Sequence, residues 1–431
     1  MKYIAINPLS FARKMYIDDI AVDVPPMGYA CLELPSCPES SCLEPSCPEL
    51  SAQVSEPPPA KRGLLGHFFA AKSEPVLARK AVEHLGRGEK RAVCILENRY
   101  FTVKIDAASG MLRSIFTNRS RYNQLSRQIA FRKNQTYSNQ VADKIVLTKS
   151  TTATGQLNIT GRLVFPDGET AAQFTETITI RSQSRILEFD LTFEPLAEFD
   201  DDRWSSYIAV RYAWNDETFE MRGNLNDAMH TLPDQKRLHS PKVIDLRHDE
   251  GSLTFLSEGL PFHRQSGVRQ LDTLLMVKGE AKRRFRLGVG VNVKNPALLS
   301  YDFALGQEGL VFPLQSQPLQ CQSLQSQSLQ CQPKNPSSWL FQIESNNVVA
   351  LHWEPILEAD KPVGFMVYLQ ETEGRRAHFA LRSFVQPKRA AAMNFQGKEL
   401  KPIKITSDTI LIDMRGYELL PLMVRTAEPP S

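Results

Sequence analysis

Carboxylates and histidines are the side chains in this sequence that could carry out acid–base chemistry or bind a metal ion. The densest acidic cluster, Asp200-Asp201-Asp202, lies just before Trp204. Cleavage of a glycosidic bond uses two carboxylates placed about that bond, and clustered carboxylates also bind cations. Because a sequence does not show which carboxylates meet in space, the cluster has two interpretations. We favour a solvated loop over a cation- or sugar-binding site.

Histidine is concentrated in one part of the chain. Four of the eight histidines fall in a single span, namely His230, His239, His248 and His263. One interpretation is a site at one end of a β-sandwich, and the other is a set of loop and strand-edge residues. We favour the second, because no two of the four have the spacing of metal ligands.

Two short motifs imitate known sites without completing them. His352-Trp353-Glu354-Pro355 resembles the first part of a zinc deaminase signature, but no Cys-x-x-Cys follows it. Gly288-Val289-Gly290 resembles a nucleotide-binding turn, yet it lies inside an alternating strand and Val293 occupies the place of the third glycine. The sequence contains neither a Gly-x-Ser-x-Gly elbow nor a phosphate-binding loop. We therefore assign no catalytic, cofactor-binding or metal-binding residue.

Aromatic and polar residues at strand positions are the remaining candidates for binding. Sugars present apolar CH faces that stack on aromatic rings, and their hydroxyl groups bind paired polar side chains. The residues that offer this mixture are Trp204, Tyr207, Arg211, Tyr212, Trp214, Arg222, Asn224 and Asp227. From these and the neighbouring histidine we predict a carbohydrate-binding set of Trp204, Tyr212, Trp214, Arg222, Asn224, Asp227 and His230. Core packing of the rings is the alternative.

The segment from Leu96 to Phe116 shows which elements position these residues. Phe101, Val103 and Ile105 alternate with polar residues, and Asp106 with Ser109-Gly110 provides a turn before the next apolar run. This pattern predicts a β-hairpin with one buried face. Similar alternation continues to about Pro313 without interspersed helices, which predicts an all-β fold built on a large antiparallel β-sandwich.

The flanking regions predict smaller elements. Two or three short strands (3–6, 15–20 and 21–24) are predicted near the start, and we expect the first of them to pair either with a later strand or with a segment before it. Val76 to Leu85 predicts a short helix, since a Ser73-Glu74-Pro75 cap precedes it and Gly86 follows it. The predicted organisation is a small β segment (1–35), a disordered low-complexity insertion (36–62), a linker with a short helix (63–92), a large β-sandwich (93–313), a Gln- and Ser-rich insertion (314–337) and a C-terminal β-sandwich layer (338–425).

Both insertions repeat every five residues. The first spans 36–59 and the second 318–332, and together they hold five of the seven cysteines. A five-residue period is too short for a solenoid repeat, which needs about 20 residues or more, so we interpret both as expanded loops. Two remaining cysteines, Cys31 and Cys94, do not indicate a disulfide framework.

The composition narrows the class of partner. The 431 residues include 51 Lys plus Arg and 48 Asp plus Glu, a net charge of +3 without a basic cluster. This balance predicts no nucleic-acid partner and no membrane surface. The sequence has no run of about 18 apolar residues and no signal-peptide pattern at its start, so we expect a cytoplasmic protein.

The hairpin segment resembles a known family. Glu97-Asn98-Arg99-Tyr100-Phe101, Asp106 and Ser109 to Ile115 resemble the start of the C-terminal β-sandwich of glycoside hydrolase family 38, the α-mannosidases, a region with a galactose mutarotase-like fold. Further segments resemble that region in the same order: 7–10 with 24–29, 271–275, and 364–372 with 417–418. The resemblance covers nearly all of the chain outside the insertions.

The resemblance implies an absence as well as a fold. In this family the nucleophile and the zinc ligands belong to an N-terminal barrel and the helices after it, and this sequence resembles only the region downstream of both. We therefore expect zinc only in that catalytic domain, and no cofactor in this chain. The leading hypothesis is a non-catalytic sandwich portion of an α-mannosidase-like glycoside hydrolase that contacts an α-mannoside-type glycan or a separate catalytic chain.

Two alternatives stay open. One is a self-sufficient sugar-acting enzyme of mutarotase-like fold, in which His230, His263 and a neighbouring Glu would act on a sugar ring. The other is a pure protein-interaction module. Binding of a glycan that depends on Trp204 or Trp214 would argue against the second.

Overall fold

The structure is a computed structural model that describes residues 2–17, 20–33, 77–84, 90–118, 120, 122–248, 251–306, 310–314 and 337–426. Both pentapeptide repeats, 36–59 and 318–332, lie outside these residues, so the prediction that the two insertions are disordered loops stays a prediction.

The described chain is almost entirely antiparallel β-structure, as the alternating pattern predicts. The first strands are β1 (Lys2–Asn7), β2 (Arg13–Ile17), β3 (Ile20–Val24) and β4 (Gly28–Glu33). Next come β5 (Ala78–His84), β6 (Lys90–Glu97), β7 (Phe101–Asp106), β8 (Leu112–Thr117), β9 (Leu125–Lys133), β10 (Thr136–Tyr137), β11 (Asn139–Ser150), β12 (Thr154–Val164), β13 (Thr170–Arg181) and β14 (Ile186–Pro195). They are followed by β15 (Tyr207–Trp214), β16 (Glu220–Leu225), β17 (Ala228–Thr231), β18 (Arg237–His239), β19 (Val243–His248), β20 (Gly251–Leu256), β21 (Phe262–Gly267), β22 (Gln270–Met276), β23 (Arg284–Val291), α1 (Pro296–Leu305) and β24 (Val311–Leu314). The last are β25 (Ser337–Trp339), β26 (Phe341–Ile343), β27 (Val348–Glu358), β28 (Lys361–Glu371), β29 (Ala377–Ser383), β30 (Arg389–Met393), β31 (Glu399–Pro402), β32 (Ile405–Thr406), β33 (Thr409–Met414) and β34 (Leu419–Arg425).

Two large sheets form the main sandwich. The ten-stranded sheet runs β18-β21-β22-β15-β9-β8-β7-β6-β5, with β10 paired to β9. The nine-stranded sheet runs β11-β12-β13-β14-β23-β20-β19-β16-β17. Alternate side chains of both sheets, among them Phe101, Leu157, Phe189 and Leu287, are fully buried in one core between them. The predicted all-β class and large antiparallel sandwich are confirmed.

The hairpin at the centre of the sequence analysis is β7 and β8, paired in antiparallel register. Asp106 accepts hydrogen bonds at Oδ2 from the Ser109 backbone N–H (3.1 Å) and hydroxyl (2.7 Å). Gly110 follows with φ +72°, a left-handed conformation that favours glycine. Buried Asn98 donates to the carbonyls of Arg181 (2.9 Å) and Ser184 (2.8 Å), which ties the start of the hairpin to the nine-stranded sheet. Asn98 therefore connects the two sheets of the sandwich at the start of the hairpin.

The predicted helix from Val76 to Leu85 is wrong over its described part. Residues Ala78–His84 form strand β5, which pairs with β6 along its whole length from Ala78–Leu96 to His84–Lys90. An isolated helix of about ten residues is marginal in water, whereas the open edge of β6 supplies hydrogen-bond partners for the backbone. The linker predicted at 63–92 thus contributes a strand to the large sheet.

Helix α1 was not predicted from the sequence, although its boundaries carry ordinary signals. Pro296 occupies the first turn, and Gly306 ends the helix with φ +64°. Ala297 and Phe303 pack with Met229 and Val243 on the outer side of the nine-stranded sheet. Helix α1 therefore explains why apolar side chains occur on the side of the nine-stranded sheet that faces away from the main core.

The first strand finds its partners later in the chain, which was one of the two possibilities. Strand β1 pairs with β24 on one side and β4 on the other, and β25 completes a four-stranded sheet. Strands β2 and β3 form a separate hairpin. The small N-terminal β segment is therefore closed by strands from 311–314 and 337–339, across the boundaries that the sequence suggested.

The C-terminal strands form a second, smaller sandwich. Its sheets run β26-β29-β33-β32 and β27-β28-β34-β30-β31. Phe365, Leu381, Ile412 and Leu422 are buried in its own core, which Met27 also joins. The two sandwiches have separate cores but are joined by backbone and side-chain contacts. In one of these, the Met229 backbone N–H donates to the Thr372 carbonyl at 2.7 Å.

Candidate functional site

The outer face of the ten-stranded sheet carries a polar and aromatic surface. On β15, Ile208 and Val210 point into the core, so Tyr207 and Arg211 lie on the opposite face. The neighbouring strands add Arg132 from β9 and Asp272 from β22. The alternation that builds the core therefore also gathers these four side chains outside it. We call this surface the outer face.

Asp272 is the centre of the outer face. Its side chain is fully buried and accepts four hydrogen bonds. Oδ2 accepts from the hydroxyls of Tyr207 (2.7 Å) and Tyr137 (3.0 Å), while Oδ1 accepts from Arg211 Nε (2.9 Å) and the Ser266 hydroxyl (3.1 Å). Burial and the nearby Asp272 carboxylate raise the pKa of Tyr207 and of Tyr137. Both tyrosines therefore stay neutral donors at physiological pH.

A cavity of about 350 Å³ opens beside this network. Its lining is polar and basic: Arg132, Asn134, Gln135, Asp202, Trp204, Ser205, Lys236, Arg237 and Arg264. We call it the Trp204 pocket. Arg237 lies 5.1 Å from the centre of the Trp204 ring, and Phe262 meets the ring edge-on at 5.9 Å. The indole is thus held at the pocket wall by a cation and an aromatic ring.

Two guanidinium groups meet at the Trp204 backbone. Arg132 Nη1 donates to the Trp204 carbonyl at 2.9 Å, and Arg264 Nη1 donates to the same oxygen. On its other side, the Trp204 N–H donates to Asp202 Oδ1 at 3.0 Å. Loop, strand β9 and strand β21 are therefore fixed to one another at the pocket.

A second depression of about 180 Å³ lies along β9 and β15 and is lined by residues from both faces of the sheet. Its lining is Met111, Ser126, Arg127, Gln128, Arg211, Tyr212, Ala213 and Gln270. Arg211 lines this depression, binds Asp272 and lies 3.7 Å from the centre of the Tyr137 ring. Arg211 therefore connects this depression to the Asp272 network.

The predicted carbohydrate-binding residues do not form one site. Trp204 lies at the pocket on the outer face, but Tyr212 and Trp214 are 1% and 6% exposed in the sandwich core, where the Tyr212 ring stacks on Phe255 at 4.1 Å. A surface role for these two rings is corrected, and core packing, the alternative considered, applies. Their even spacing from Ile208 on β15 places them on the inward face.

The other four predicted residues lie on or beside the nine-stranded sheet. Arg222 donates to Glu373 Oε2 at 2.9 Å in a buried contact with the C-terminal sandwich. His230 stacks on Tyr417 with 4.5 Å between ring centres. Asp227 pairs with Lys242. Although burial opposes the change, the Lys242 ammonium and the Tyr301 hydroxyl hold the pKa of the Asp227 carboxyl below its ordinary range. Arg222 and His230 are therefore part of the junction between the sandwiches, and none of the four lies on the outer face.

Asn224 lies beside this junction and is 1% exposed. Its backbone N–H is hydrogen-bonded to Ser240 Oγ at 2.8 Å, while neither atom of its side-chain amide has a partner among the described residues. Its position within β16 fixes it next to Arg222 on the same face of the strand. It is therefore separated from Trp204 by the sandwich itself.

The four histidines that lie close together in the sequence do not form one site in the structure. His263 is buried on β21, with Nδ1 3.0 Å from the Thr273 hydroxyl and Nε2 2.9 Å from the Ser240 carbonyl. Burial lowers the pKa of His263 to about 4. His239 meets Phe262 edge-on, and His248 lies 3.6 Å from Asp216. The favoured interpretation was a set of loop and strand-edge residues, and His263 departs from it because it is buried on an interior strand of its sheet.

The triple aspartate forms a loop, which is the favoured interpretation. Asp201 pairs with exposed Lys278 (2.6 Å), and Asp202 caps the turn through the Trp204 N–H. These hydrogen bonds hold the pKa of both carboxyls below the ordinary range. Asp202 nevertheless lines the Trp204 pocket, so the loop borders the candidate site.

Sequence reasoning missed most of the outer face. Arg132, Tyr137, Arg264 and Asp272 come from separate strands, and no spacing in the sequence connects them. The one available signal is Asp272 inside the apolar run Leu271 to Leu275, because a buried carboxylate needs several hydrogen-bond donors. That residue lies in a segment noted above only for its family resemblance.

The described part of the chain contains no metal-binding cluster and no helix that could cross a membrane. No group of three or more His, Cys, Asp or Glu residues there is arranged to hold a metal ion. No described helix is long and apolar enough to cross a membrane.

Comparison with known proteins identifies a fold but no family. No family model and no curated protein matches the sequence. The structure is similar to an alpha-mannosidase from Enterococcus faecalis V583, with a TM-score of 0.56 and 11% identity over 82% of this chain and 49% of that one. It is also similar to a protein in the glycosyl hydrolase family 38 from Enterococcus faecalis, with a TM-score of 0.52 and 10% identity over 81% of this chain and 51% of that one.

These likenesses establish the fold alone, since so few residues are identical. The chain spans about half the length of the two glycosidase structures. A galactose mutarotase related enzyme from Lactobacillus acidophilus is similar only at a TM-score of 0.28 and 6% identity, over 47% of this chain and 97% of that one, which is too low to support an argument.

Proposed function

We propose that this chain is the β-sandwich portion of an α-mannosidase-like glycoside hydrolase, that it is not catalytic alone, and that it contacts an α-mannoside-type glycan. The outer face is the contact surface in this proposal. The observation that carries it is the Trp204 pocket, a concave site with an indole and fixed polar side chains on a sandwich whose fold is similar to two glycosidase structures. A sugar ring matches this combination, because its CH face stacks on an indole and its hydroxyls bind polar groups.

The geometry gives less support to a self-sufficient enzyme built on His230 and His263. Both ring nitrogens of His263 are engaged and the side chain is buried, so it cannot reach a sugar without rearrangement. His230 lies at the junction with Tyr417, on a different sheet. In our proposal, catalysis belongs to a separate catalytic chain or domain.

Glycan binding by the purified full-length chain tests the contact surface. We expect α-mannosides to bind, and Trp204→Ala to weaken binding by about twofold to tenfold, because an aromatic stacking contact contributes about 0.5–1.5 kcal/mol. Trp353→Ala is the matched control, since Trp353 is also partly exposed, at 37%, but lies on β27 of the other sandwich. Titration calorimetry measures both variants.

Three results would contradict this proposal. Binding that is equally strong in Trp204→Ala and Trp353→Ala would place the glycan elsewhere. Absence of binding to any glycan would favour the protein-interaction alternative. Hydrolysis of aryl α-mannosides or faster sugar anomerisation by the pure chain would show that it is an enzyme by itself.

The catalytic partner has its own test. If the glycan contact completes an active site supplied by another chain, a barrel-type mannosidase subunit should co-purify with this protein. Addition of this chain to that subunit should raise its activity on α-mannosides, and the Trp204→Ala chain should raise it less. Unchanged activity on addition would contradict a split enzyme.

A further inference from the structure

We infer that the ligand of the Trp204 pocket carries an anionic group, a phosphate, sulfate or carboxylate attached to the sugar. This inference rests on the proposed function and narrows its ligand class. The first observation is charge. Four cations line the pocket (Arg132, Lys236, Arg237 and Arg264) against one carboxylate (Asp202), so the lining has a net charge of 4 − 1 = +3. A concave site lined by one sign of charge attracts the opposite charge.

The second observation is the lack of carboxylate partners for these cations. Within the described residues, none of the four cationic side chains that line the pocket forms an ion pair with an acidic side chain. Arg132 and Arg264 instead share one neutral acceptor, the Trp204 carbonyl. Two guanidinium groups held this close repel each other, and an anion between them would remove that repulsion.

The third observation is an unused donor. Arg132 is only 5% exposed, yet its Nε has no hydrogen-bond partner among the described residues. The buried Arg132 charge is therefore incompletely compensated beside the pocket, which adds to the attraction of this site for an anion. The rings of Tyr137 and Tyr207 lie 5.6 and 5.7 Å from the guanidinium centre and hold it in place.

The remaining donors suit an oxyanion. Arg264 is on strand β21, and Arg237 is on the paired strand β18 directly opposite it, so their side chains extend from neighbouring positions. A phosphate, sulfate or carboxylate accepts several charge-assisted hydrogen bonds at once, and arginine is the side chain best suited to give them. The indole beside these cations would receive the sugar ring that carries the anion.

Calorimetric titration of the full-length chain with four probes tests this inference. The probes are methyl α-mannoside, mannose 6-phosphate, glucuronate and inorganic phosphate. At low ionic strength we expect an anionic sugar to bind at least about tenfold more tightly than the neutral mannoside, since each charge-assisted hydrogen bond contributes roughly that factor. This advantage should shrink at about 0.5 M salt. The two anionic sugars distinguish a phosphate ligand from a carboxylate ligand.

Two sets of variants locate the anion. Lys236 and Arg237 are exposed, so the double variant Lys236→Ala/Arg237→Ala should fold and lose most of the tenfold preference. Arg132→Lys tests the buried donor, and the exposed pair keeps the test decisive if that variant fails to fold. Arg283→Ala, an exposed arginine outside the pocket, is the matched control and should bind like the unmodified chain.

Each outcome decides one of the two proposals. Equal affinity for neutral and anionic sugars overturns the anionic ligand and leaves the proposed function intact. Inorganic phosphate that binds as tightly as the sugar phosphate, with no neutral sugar bound, supports an anion site and overturns the glycan contact. No binding of any probe overturns both. A preference that survives in the double variant overturns the assignment to this pocket.

Discussion

At the scale of single residues, burial decides what the polar side chains do. Asp272 and Asn98 are both buried, and each uses its hydrogen-bonding capacity fully with groups from other strands. His263 is likewise enclosed between Thr273 and the Ser240 carbonyl. Such residues specify the arrangement of strands, because each would be costly to bury in any other arrangement.

His263 predicts a pH dependence of stability. Burial lowers its pKa in the folded protein to about 4, below the value of about 6.5 expected after unfolding. Between these values the unfolded chain binds a proton that the folded chain does not, so stability should fall as pH decreases from about 6.5 towards 4. We expect this residue to account for a loss of about 2 kcal/mol between pH 7 and pH 5.

Urea unfolding at pH 7 and pH 5 measures that dependence. His263→Gln should remove this part of the pH effect, whatever the variant's stability at pH 7. His378→Gln, at an exposed position, is the control and should keep the dependence of the unmodified chain. An unchanged pH dependence in His263→Gln would show that this imidazole is protonated in the folded state as easily as in the unfolded state.

At the scale of elements, a buried ion pair joins the two large sheets. Arg127 on β9 donates to Glu176 on β13 at 2.6 Å, and their side chains are 1% and 0% exposed. The guanidinium also lies 3.9 Å from the centre of the Phe189 ring. Burial raises the pKa of the Glu176 carboxyl in spite of the arginine beside it. The pair therefore fixes the position of one sheet on the other more than it adds stability.

Breaking that pair should be expensive, whereas replacing it should not. Glu176→Gln leaves the Arg127 charge buried, and we expect a loss of about 3–5 kcal/mol in the free energy of unfolding at pH 7. The double variant Arg127→Met/Glu176→Leu should be much closer to the unmodified chain. Urea denaturation measures both changes.

The matched control is the exposed pair between Asp143 and Arg162 on the edge of the same nine-stranded sheet. Asp143→Asn should change the unfolding free energy by less than about 1 kcal/mol, because water screens the pair. If Glu176→Gln cost as little as Asp143→Asn, the Arg127 charge would have to be solvated in the core.

At the scale of the whole molecule, polar contacts join the two sandwiches. Glu373 of the C-terminal sandwich accepts from Arg222 and lies 3.8 Å from Arg247, both on the nine-stranded sheet. The Tyr417 hydroxyl donates to the Met229 carbonyl at 3.1 Å. Strand β25 connects the N-terminal four-stranded sheet to the C-terminal sandwich through the chain itself, since it lies in that sheet directly before the C-terminal sandwich begins.

These contacts predict that the two sandwiches unfold together. Glu373→Ala leaves buried Arg222 without its carboxylate, so we expect a loss of about 3 kcal/mol at the junction and a C-terminal sandwich that melts first. Calorimetry should show one transition for the unmodified chain and two for the variant. Glu344→Ala, which removes an exposed pair with Arg382, is the control and should keep one transition. A single transition in Glu373→Ala would mean that other contacts couple the sandwiches.

The sequence by itself determined the all-β class and the two faces of the hairpin strands. Alternation at Phe101, Val103 and Ile105 and the Asp106 turn are local, so the hairpin and the all-β class follow from them without knowledge of the partners. Helix α1 also has local boundary signals, with Pro296 in its first turn and Gly306 at its end, although this helix was not predicted.

Only the tertiary structure decided which strands are neighbours and what covers each face. The local sequence around Ala78–His84 is typical of a helix. These residues nevertheless form a strand, because the open edge of β6 supplies hydrogen-bond partners for their backbone. The sequence does not distinguish the roles of Trp204 and Trp214, yet Trp204 borders a pocket and Trp214 lies in the core. A period of two shows that alternate side chains point to opposite faces, but not which residues distant in the chain meet them there. The candidate site depends on such distant meetings, since Arg132, Trp204 and Arg264 come together only when three separate segments pack.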